Sequence, residues 1–184
     1  MTTPASTLVT RTDRLELHTA GEHTDIDALL EIFNSNPSWI ATTNDFAGKS
    51  SLYDRSDVEM FLWQSTMGEG STCLEIRDAR QDGLVGVLAW MALHPRDRCP
   101  WVGCIVLRAD RQRQGIGSEV LRALERLLAA EGCERVRASP MIAQPWARAF
   151  LESLGYAAVE ERLDQDKRRC VVMEKVLSDE RSRI

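Results

Sequence analysis

A single mixed α/β domain, α+β in character, is the fold class this sequence predicts, and three observations carry the prediction. Three strand-like runs lie next to one another between residues 72 and 107, which points to adjacent strands of one sheet. Two amphipathic helical patterns follow, separated only by the short strand-like "RVRAS". The 184 residues contain no repeat, no low-complexity block and no linker, so the whole of 1–184 reads as one domain with a core of about 8–177 and enough length to bury it.

Taken in order, the elements justify that reading. Leu15 and Leu17 alternate with polar neighbours in "RLELH", an opening strand with one wet face. "TDIDALLEIF" sets Ile26, Leu29, Leu30 and Phe33 at helical spacing, with Thr24 as the expected cap and acidic residues in the first turn. "NSNPS" stops this helix, because Pro37 lacks an N–H and restricts Asn36. A second helix is expected from "SDVEMFLW", opened by a Ser56–Glu59 capping box and burying Val58, Phe61 and Leu62. Between the two, about Ser38 to Arg55, lies a long irregular stretch with Trp39, Asp45, Phe46 and Tyr53; a loop of that length in a compact domain is usually functional.

The strand-like runs are about 72–77, 84–93 and 101–107, the first two joined by a turn with the Asp82-Gly83 hairpin signal. From Ile116, the apolar Val120, Leu121, Leu124, Leu127 and Leu128 form a helical stripe, with Glu119, Arg122, Glu125 and Arg126 opposite and Gly132 as the stop. "QPWARAFLESLG" is a further helix, with Pro145 in its first turn and Gly155 after its end. Two alternating strands, 156–161 and 170–176, close the chain around "LDQDKRR". The predicted order is β-α-α-β-β-β-α-β-α-β-β.

Composition excludes several function classes. A net charge of -5 and a pI near 5.3 argue against nucleic-acid binding, which needs a basic face. No apolar run is long enough to cross a bilayer, and residues 1–10 lack the basic and apolar regions of a signal peptide. Cys73, Cys99, Cys104, Cys133 and Cys170 are odd in number and include no C-x-x-C pair, so they read as reduced thiols of a cytoplasmic protein. His18, His23 and His94 show no ligand spacing, and no metal is expected.

The most informative stretch is "RQRQGIGSEVLRAL", Arg111 to Leu124. A strand ending at Leu107, then a glycine turn, then a helix start is a phosphate cradle: the first helical N–H groups have no partner and the helix dipole favours an anion there. A Walker loop is ruled out because Ser118 and Glu119 follow Gly117 where Lys-Ser/Thr is needed, and a dinucleotide fingerprint because Val120 stands where its third glycine belongs. Gln112-Arg113-Gln114-Gly115-Ile116-Gly117 does fit Q/R-x-x-G-x-G/A, and with the strands before it and "ARAFLESLGY" after it the chain resembles the GNAT superfamily of N-acetyltransferases over most of its length.

That resemblance implies a central, mostly antiparallel sheet flanked by helices, with a splayed pair of parallel strands binding the pantetheine of acetyl-coenzyme A. It gives the pantetheine to Ile105, Val106 and Leu107, whose backbone acts as the edge of an extra strand. It gives the pyrophosphate to Gln112, Arg113, Gln114, Gly115, Ile116, Gly117 and Ser118, with the Ser118 hydroxyl as an added donor. Arg113 is equally readable as a solvated partner of Asp110 or Glu119. Gln144 stands where relatives carry a pantetheine-contacting asparagine. The expected reaction is direct acetyl transfer to a primary amine, on a small molecule or a peptide N-terminus, in a family where homodimers are frequent.

The catalytic positions depart from the pattern. The tyrosine that protonates the departing thiolate in many relatives is Leu151 here, and the strand 101–107 holds no carboxylate to act as base. Glu75, expected on a wet strand face, His94 in a loop, and Cys104 in an apolar strand are the replacements at hand, and none is assigned a catalytic role. Trp39, Phe46, Tyr53, Asp45 and Asp54 sit where the family commonly recognises its acceptor, and read equally well as satellite core. Leu151 keeps a second reading open, a coenzyme A-binding sensor without turnover.

Overall fold

The computed structural model describes residues 6–43, 52–81 and 83–177. It forms an eight-stranded sheet in the order β1-β2-β3-β4-β5-β6-β8-β7. The strands are β1 (Leu8–Arg11), β2 (Leu15–Thr19), β3 (Ser71–Asp78), β4 (Gly83–Met91), β5 (Trp101–Leu107), β6 (Arg135–Ala138), β7 (Ala157–Leu163) and β8 (Arg169–Val176). Every neighbouring pair is antiparallel except β5–β6. Five helices complete the fold: α1 (Ile26–Asn34), α2 (Pro37–Thr43), α3 (Arg55–Met67), α4 (Ile116–Ala130) and α5 (Pro145–Ser153). The predicted mixed α/β class and mostly antiparallel sheet are therefore observed.

Two apolar clusters hold these layers together. Val120, Leu121, Leu124 and Leu128 of α4 and Leu151 of α5 pack with Leu15, Leu17, Leu74, Ile76 and Leu88 of the sheet. Leu29 and Phe33 of α1, Ile40 of α2 and Val58 and Leu62 of α3 pack with Cys73, Val87 and Val106. β3 and β4 thus feed both clusters, so their central residues are buried on both faces.

Several local expectations are corrected. β1 is an additional edge strand; its residues are mostly exposed, so no burial pattern marks it in the sequence. The cap of α1 is Asp25, not Thr24: Asp25 Oδ1 accepts from the amides of Asp27 (3.1 Å) and Ala28 (3.0 Å), while Thr24 Oγ1 accepts from the Gly21 amide. Pro37 follows the end of α1 but also opens α2, its missing N–H being one that a first helical turn leaves unpaired in any case. The stretch expected to be irregular therefore contains a helix; within it Asp45 and Phe46, and Asp82 of the hairpin signal, lie outside the described residues.

The capping box of α3 is Asp54–Asp57, not Ser56–Glu59. The Asp57 amide donates to Asp54 Oδ1 (3.2 Å) and the Asp54 amide to Asp57 Oδ2 (2.7 Å), while Glu59 pairs with Arg55 one turn away. Glu125, expected on the wet face of α4, is buried and bonded to Lys175 Nζ of β8 at 2.6 Å. Among the described residues no helix is long and apolar enough to cross a membrane, and no group of three His, Cys, Asp or Glu is placed to hold a metal.

Candidate functional site

β5 and β6 pair only at Trp101↔Arg137 and Val102↔Ala138. Beyond these, Gly103 to Leu107 keep β4 on one side and, among the described residues, have no strand on the other. The parting opens a cleft of about 1130 Å³, at or above the upper end for a drug-sized ligand and roomy enough for a large cofactor and a second molecule. Gly103 to Leu107 form one wall; Ser139, Pro140 and Met141, after β6, and the start of α5 form the other.

At the far end of β5 the chain makes a 3₁₀ turn, Ala109–Arg111, and then the glycine loop. Gly115 caps α4 with φ 81° and ψ -1°, a left-handed conformation that glycine adopts without strain, and no side chain bonds the first-turn amides behind it. Glu119, the one acidic residue in that turn, is drawn away by Arg14 and Thr12. Gly117 serves packing: a Cβ there would stand 3.2 Å from Cζ of Phe150 on α5 and 3.8 Å from Cδ1 of Leu107. The helix start is thus brought tight against both walls with its donors uncommitted.

Of the residues marked by sequence, Ile105, Val106, Leu107, Gln112, Arg113, Gly115, Gly117, Ser118 and Gln144 line this one cleft. Gln114 and Ile116 do not: Gln114 Nε2 donates to the Asp110 carbonyl, and the Ile116 side chain is in the core, so only their backbone belongs to the loop. Arg113 has no ion pair among the described residues, because Asp110 pairs with Arg108 and Glu119 with Arg14. Gln144 is buried at the head of α5 and donates from Nε2 to Thr42 Oγ1 at 2.9 Å. Leu151 is buried, in contact with both the core and the cleft.

The other candidates divide. Trp39 lines the cleft and stacks on Phe33 with centroids 5.4 Å apart. Tyr53 is buried in the same aromatic pile, and Asp54 is engaged in capping α3. Cys104 lines the cleft, half-buried. Glu75 is fully buried rather than on a wet face; Arg77 holds its Oε2 at 2.7 Å, and it lies outside the cleft lining. Simple alternation misplaces it because β3 has no wet face at its centre.

His94 is likewise not a free surface imidazole. It stacks on Trp101 at 4.3 Å with Nδ1 2.6 Å from Asp97 Oδ2, and burial, only partly opposed by Asp97, lowers its pKa. Asp97 also receives Arg137 and Arg162, both at 2.7 Å. This cluster sits at the start of β5, away from the glycine loop. Among the polar residues that sequence reading misses are Ser35, Asn36, Ser139 and Arg168 in the lining and Thr42 beside it. Asn36 stands out in the sequence only as the residue before a proline; its contact with Leu107 joins positions 71 apart.

The family model described as "Acetyltransferase (GNAT) family" matches residues 26–156. No curated protein matches significantly. Among solved structures, an acetyltransferase from Thermus thermophilus superposes with a TM-score of 0.68 at 22% identity, over 89% of this chain and 97% of that one. The Salmonella typhimurium acetyl transferase that modifies the N-terminal serine of ribosomal protein L7/L12 gives 0.71 at 18% identity, over 91% and 97%. Microcin C7 self immunity acetyltransferase MccE, in complex with acetyl-CoA and AMP, gives 0.69 at 17% identity, over 90% and 93%. At these identities the likeness is one of fold.

Proposed function

From the premise that the chain belongs to the acetyltransferase (GNAT) family, we propose that it transfers an acetyl group from acetyl-coenzyme A directly to a primary amine. The family uses acetyl-coenzyme A, which supplies the acetyl group as an activated thioester. The observation that carries the proposal is the β5 edge beyond Val102, unpaired by β6, running into the start of α4, whose glycine cap leaves the first-turn amides without a side-chain acceptor. In this reading Ile105, Val106 and Leu107 lend that edge to the pantetheine arm, and the amides of Arg113 to Ser118 hold the pyrophosphate. Gln112 borders the same loop, the Arg113 guanidinium adds positive charge beside it, and Gln144 keeps its carbonyl oxygen for the arm. Orientation of two reactants in one cleft is the main catalytic device, worth several kcal/mol where the reacting atoms are aligned.

The acceptor in this reading is a small molecule or a peptide N-terminus. Both kinds of ligand occur among the similar structures, since the Salmonella enzyme modifies an N-terminal serine and MccE is seen with AMP. The five cysteines, none of them in a disulfide, support a cytoplasmic home in this reading. The described lining is made of hydroxyls, amides, apolar groups, the Cys104 thiol and two arginines, Arg113 and Arg168, with no carboxylate and no imidazole. With no carboxylate or imidazole there to take a proton from an ammonium ion, the amine in this reading enters uncharged. The pH profile of kcat/KM should then follow the acceptor: flat above the amine's own pKa and falling about tenfold per unit below it. An α-amine, near 7.7–8.0, and a lysine-type amine, near 10.4, should give inflections about 2.5 units apart. Thiol release across an amine panel, measured from about pH 6 to 11, checks this; a single inflection shared by all acceptors means that an enzyme group is the base.

The buried Leu151 favours a second reading, an acyl-coenzyme A sensor, since leucine cannot protonate a thiolate. A sensor binds coenzyme A and releases no thiol with any amine of the panel. Direct transfer also predicts no stable acetyl group on Cys104 when the protein meets acetyl-coenzyme A alone. Intact-mass measurement decides it, and a stoichiometric adduct of about 42 Da on Cys104 would replace direct transfer by a two-step route.

A further inference from the structure

Helix α2 is fastened at both ends to the walls of the cleft. At its N-terminal end the Asn36 side chain donates from Nδ2 to the carbonyls of Ile32 (2.8 Å) and Leu107 (2.9 Å). Its Oδ1 accepts from Nε2 of Gln112 at 2.5 Å, and Gln112 Nε2 also reaches the Leu107 carbonyl at 3.0 Å. The neighbouring Ser35 hydroxyl donates to the Ile32 carbonyl (2.7 Å) and accepts from the Ala109 amide (3.0 Å). The Asn36 carbonyl accepts the first-turn amides of α2, Trp39 at 3.0 Å and Ile40 at 3.1 Å. At the other end Thr42 is held by Gln144 of the opposite wall.

One residue therefore joins the last carbonyl of β5, the entry of the glycine loop and the first turn of α2, which carries Trp39 into the cleft. A shift of Leu107 or Gln112 must either break these bonds or move Asn36, and with it the turn that Asn36 caps. Resting on the cleft as the coenzyme site, we infer that Asn36 is a positioning residue coupling the coenzyme loop to α2. Filling the loop fixes 107–112, which narrows the freedom of α2 and presets the acceptor wall before the amine arrives. Coupling of this kind acts through restricted motion and needs no large displacement.

Hydrogen exchange on the full-length chain, with coenzyme A as the probe, tests it. In the parent protein, saturating coenzyme A should slow exchange of the α2 amides of residues 39–43 by about fivefold or more, the lower end of ordinary site-to-site coupling. Asn36→Ala should still bind coenzyme A, about fivefold more weakly by reciprocity of the coupling, and lose the slowing at α2. Gln112→Ala removes the bond at Asn36 Oδ1 from an exposed side chain without touching α1 and leaves the donor to Leu107, so it should clearly reduce the slowing; it decides the matter if Asn36→Ala does not fold. Asn36→Asp keeps an acceptor for Gln112 but loses the donor to Leu107, and should retain only part of the response. The coupling is overturned if α2 exchange is unchanged by bound coenzyme A in the parent, or slows equally in both alanine variants. Parallel calorimetry separates the two levels: absence of coenzyme A binding to the parent defeats the cleft assignment itself, whereas binding without an α2 response defeats only the coupling.

Discussion

Replacing Gly117 by valine is expected to lower affinity for coenzyme A by about a hundredfold or more. Even the first carbon of a side chain stands 3.2 Å from the Phe150 ring, so a branched one must push that ring, the Leu107 side chain or the helix start itself. Each displacement moves the first-turn amides relative to the β5 edge. Amide bonds to a charged phosphate are worth roughly 1.5–3 kcal/mol each, and losing two gives the stated factor. The fold should suffer less, because Gly117 is half-exposed and the apolar stripe of α4 behind it is untouched. Arg113→Ala, which removes a charge but no backbone donor, should cost about tenfold at most, and less as salt rises. Calorimetric titration of both variants, with melting temperatures alongside, gives the answer. A folded Gly117→Val protein that binds coenzyme A like the parent removes the loop from the site.

Asp97→Ala should be the most damaging single change to stability. Its side chain is only 3% exposed and lies within 2.7 Å of His94, Arg137 and Arg162. Removing it takes the shared carboxylate from two partly buried guanidinium groups, which keep only Glu174 and Glu160 as partners, and breaking a buried pair costs up to about 3–5 kcal/mol. For a chain of this size that is a fall of about 6–20 °C in melting temperature.

The acid limb of stability should change with it. Burial raises the Asp97 pKa, but hydrogen bonds from Arg162 and Arg137 outweigh it and the net shift is downward. A depressed carboxyl stabilises the fold fully above its unfolded value, about 3.9, and loses that stabilisation as pH falls through the folded value. His94, lowered chiefly by burial, has the same sign, beginning at its unfolded value of about 6.5. The parent should therefore weaken in two steps on acidification, and Asp97→Ala should show a smaller lower one, since Asp78 and Glu119, also held down by arginines, still contribute to it. Urea unfolding at about pH 8, 5 and 3 reads this out; a variant melting within about 2 °C of the parent would show that the cluster contributes nothing net.

The sheet is legible in the sequence because alternation and helical spacing are local signals. The apolar run 101–107 coincides with β5, and the glycine turn marks the start of α4 with no tertiary information. The chemistry around it is less legible, for three physical reasons. Two overlapping acidic and hydroxyl patterns both satisfy a capping rule at 54–59, and the backbone adopts the earlier. Glu75 and Glu125 carry charge into buried positions, which spacing cannot reveal because their partners, Arg77 and Lys175, are fixed by folding. Asn36, Thr42 and the Arg162 partner of Asp97 act across 65 or more positions of chain, so only the packed molecule shows them together.

The order of the sheet has one more consequence. An open sheet offers two free edges, each able to recruit a stranger's strand and seed aggregation. β1 limits this by being four residues long. β7 is longer and almost wholly exposed, yet its register slips between Ala158 and Glu160, and Glu160, Glu161 and Arg162 follow one another along it. A foreign strand laid there meets a kinked ladder and must surrender the hydration of consecutive charges. The edge that the fold leaves open is thus made a poor template for edge-to-edge pairing, while in the proposed function the gap between β5 and β6 is the place that receives an extended molecule.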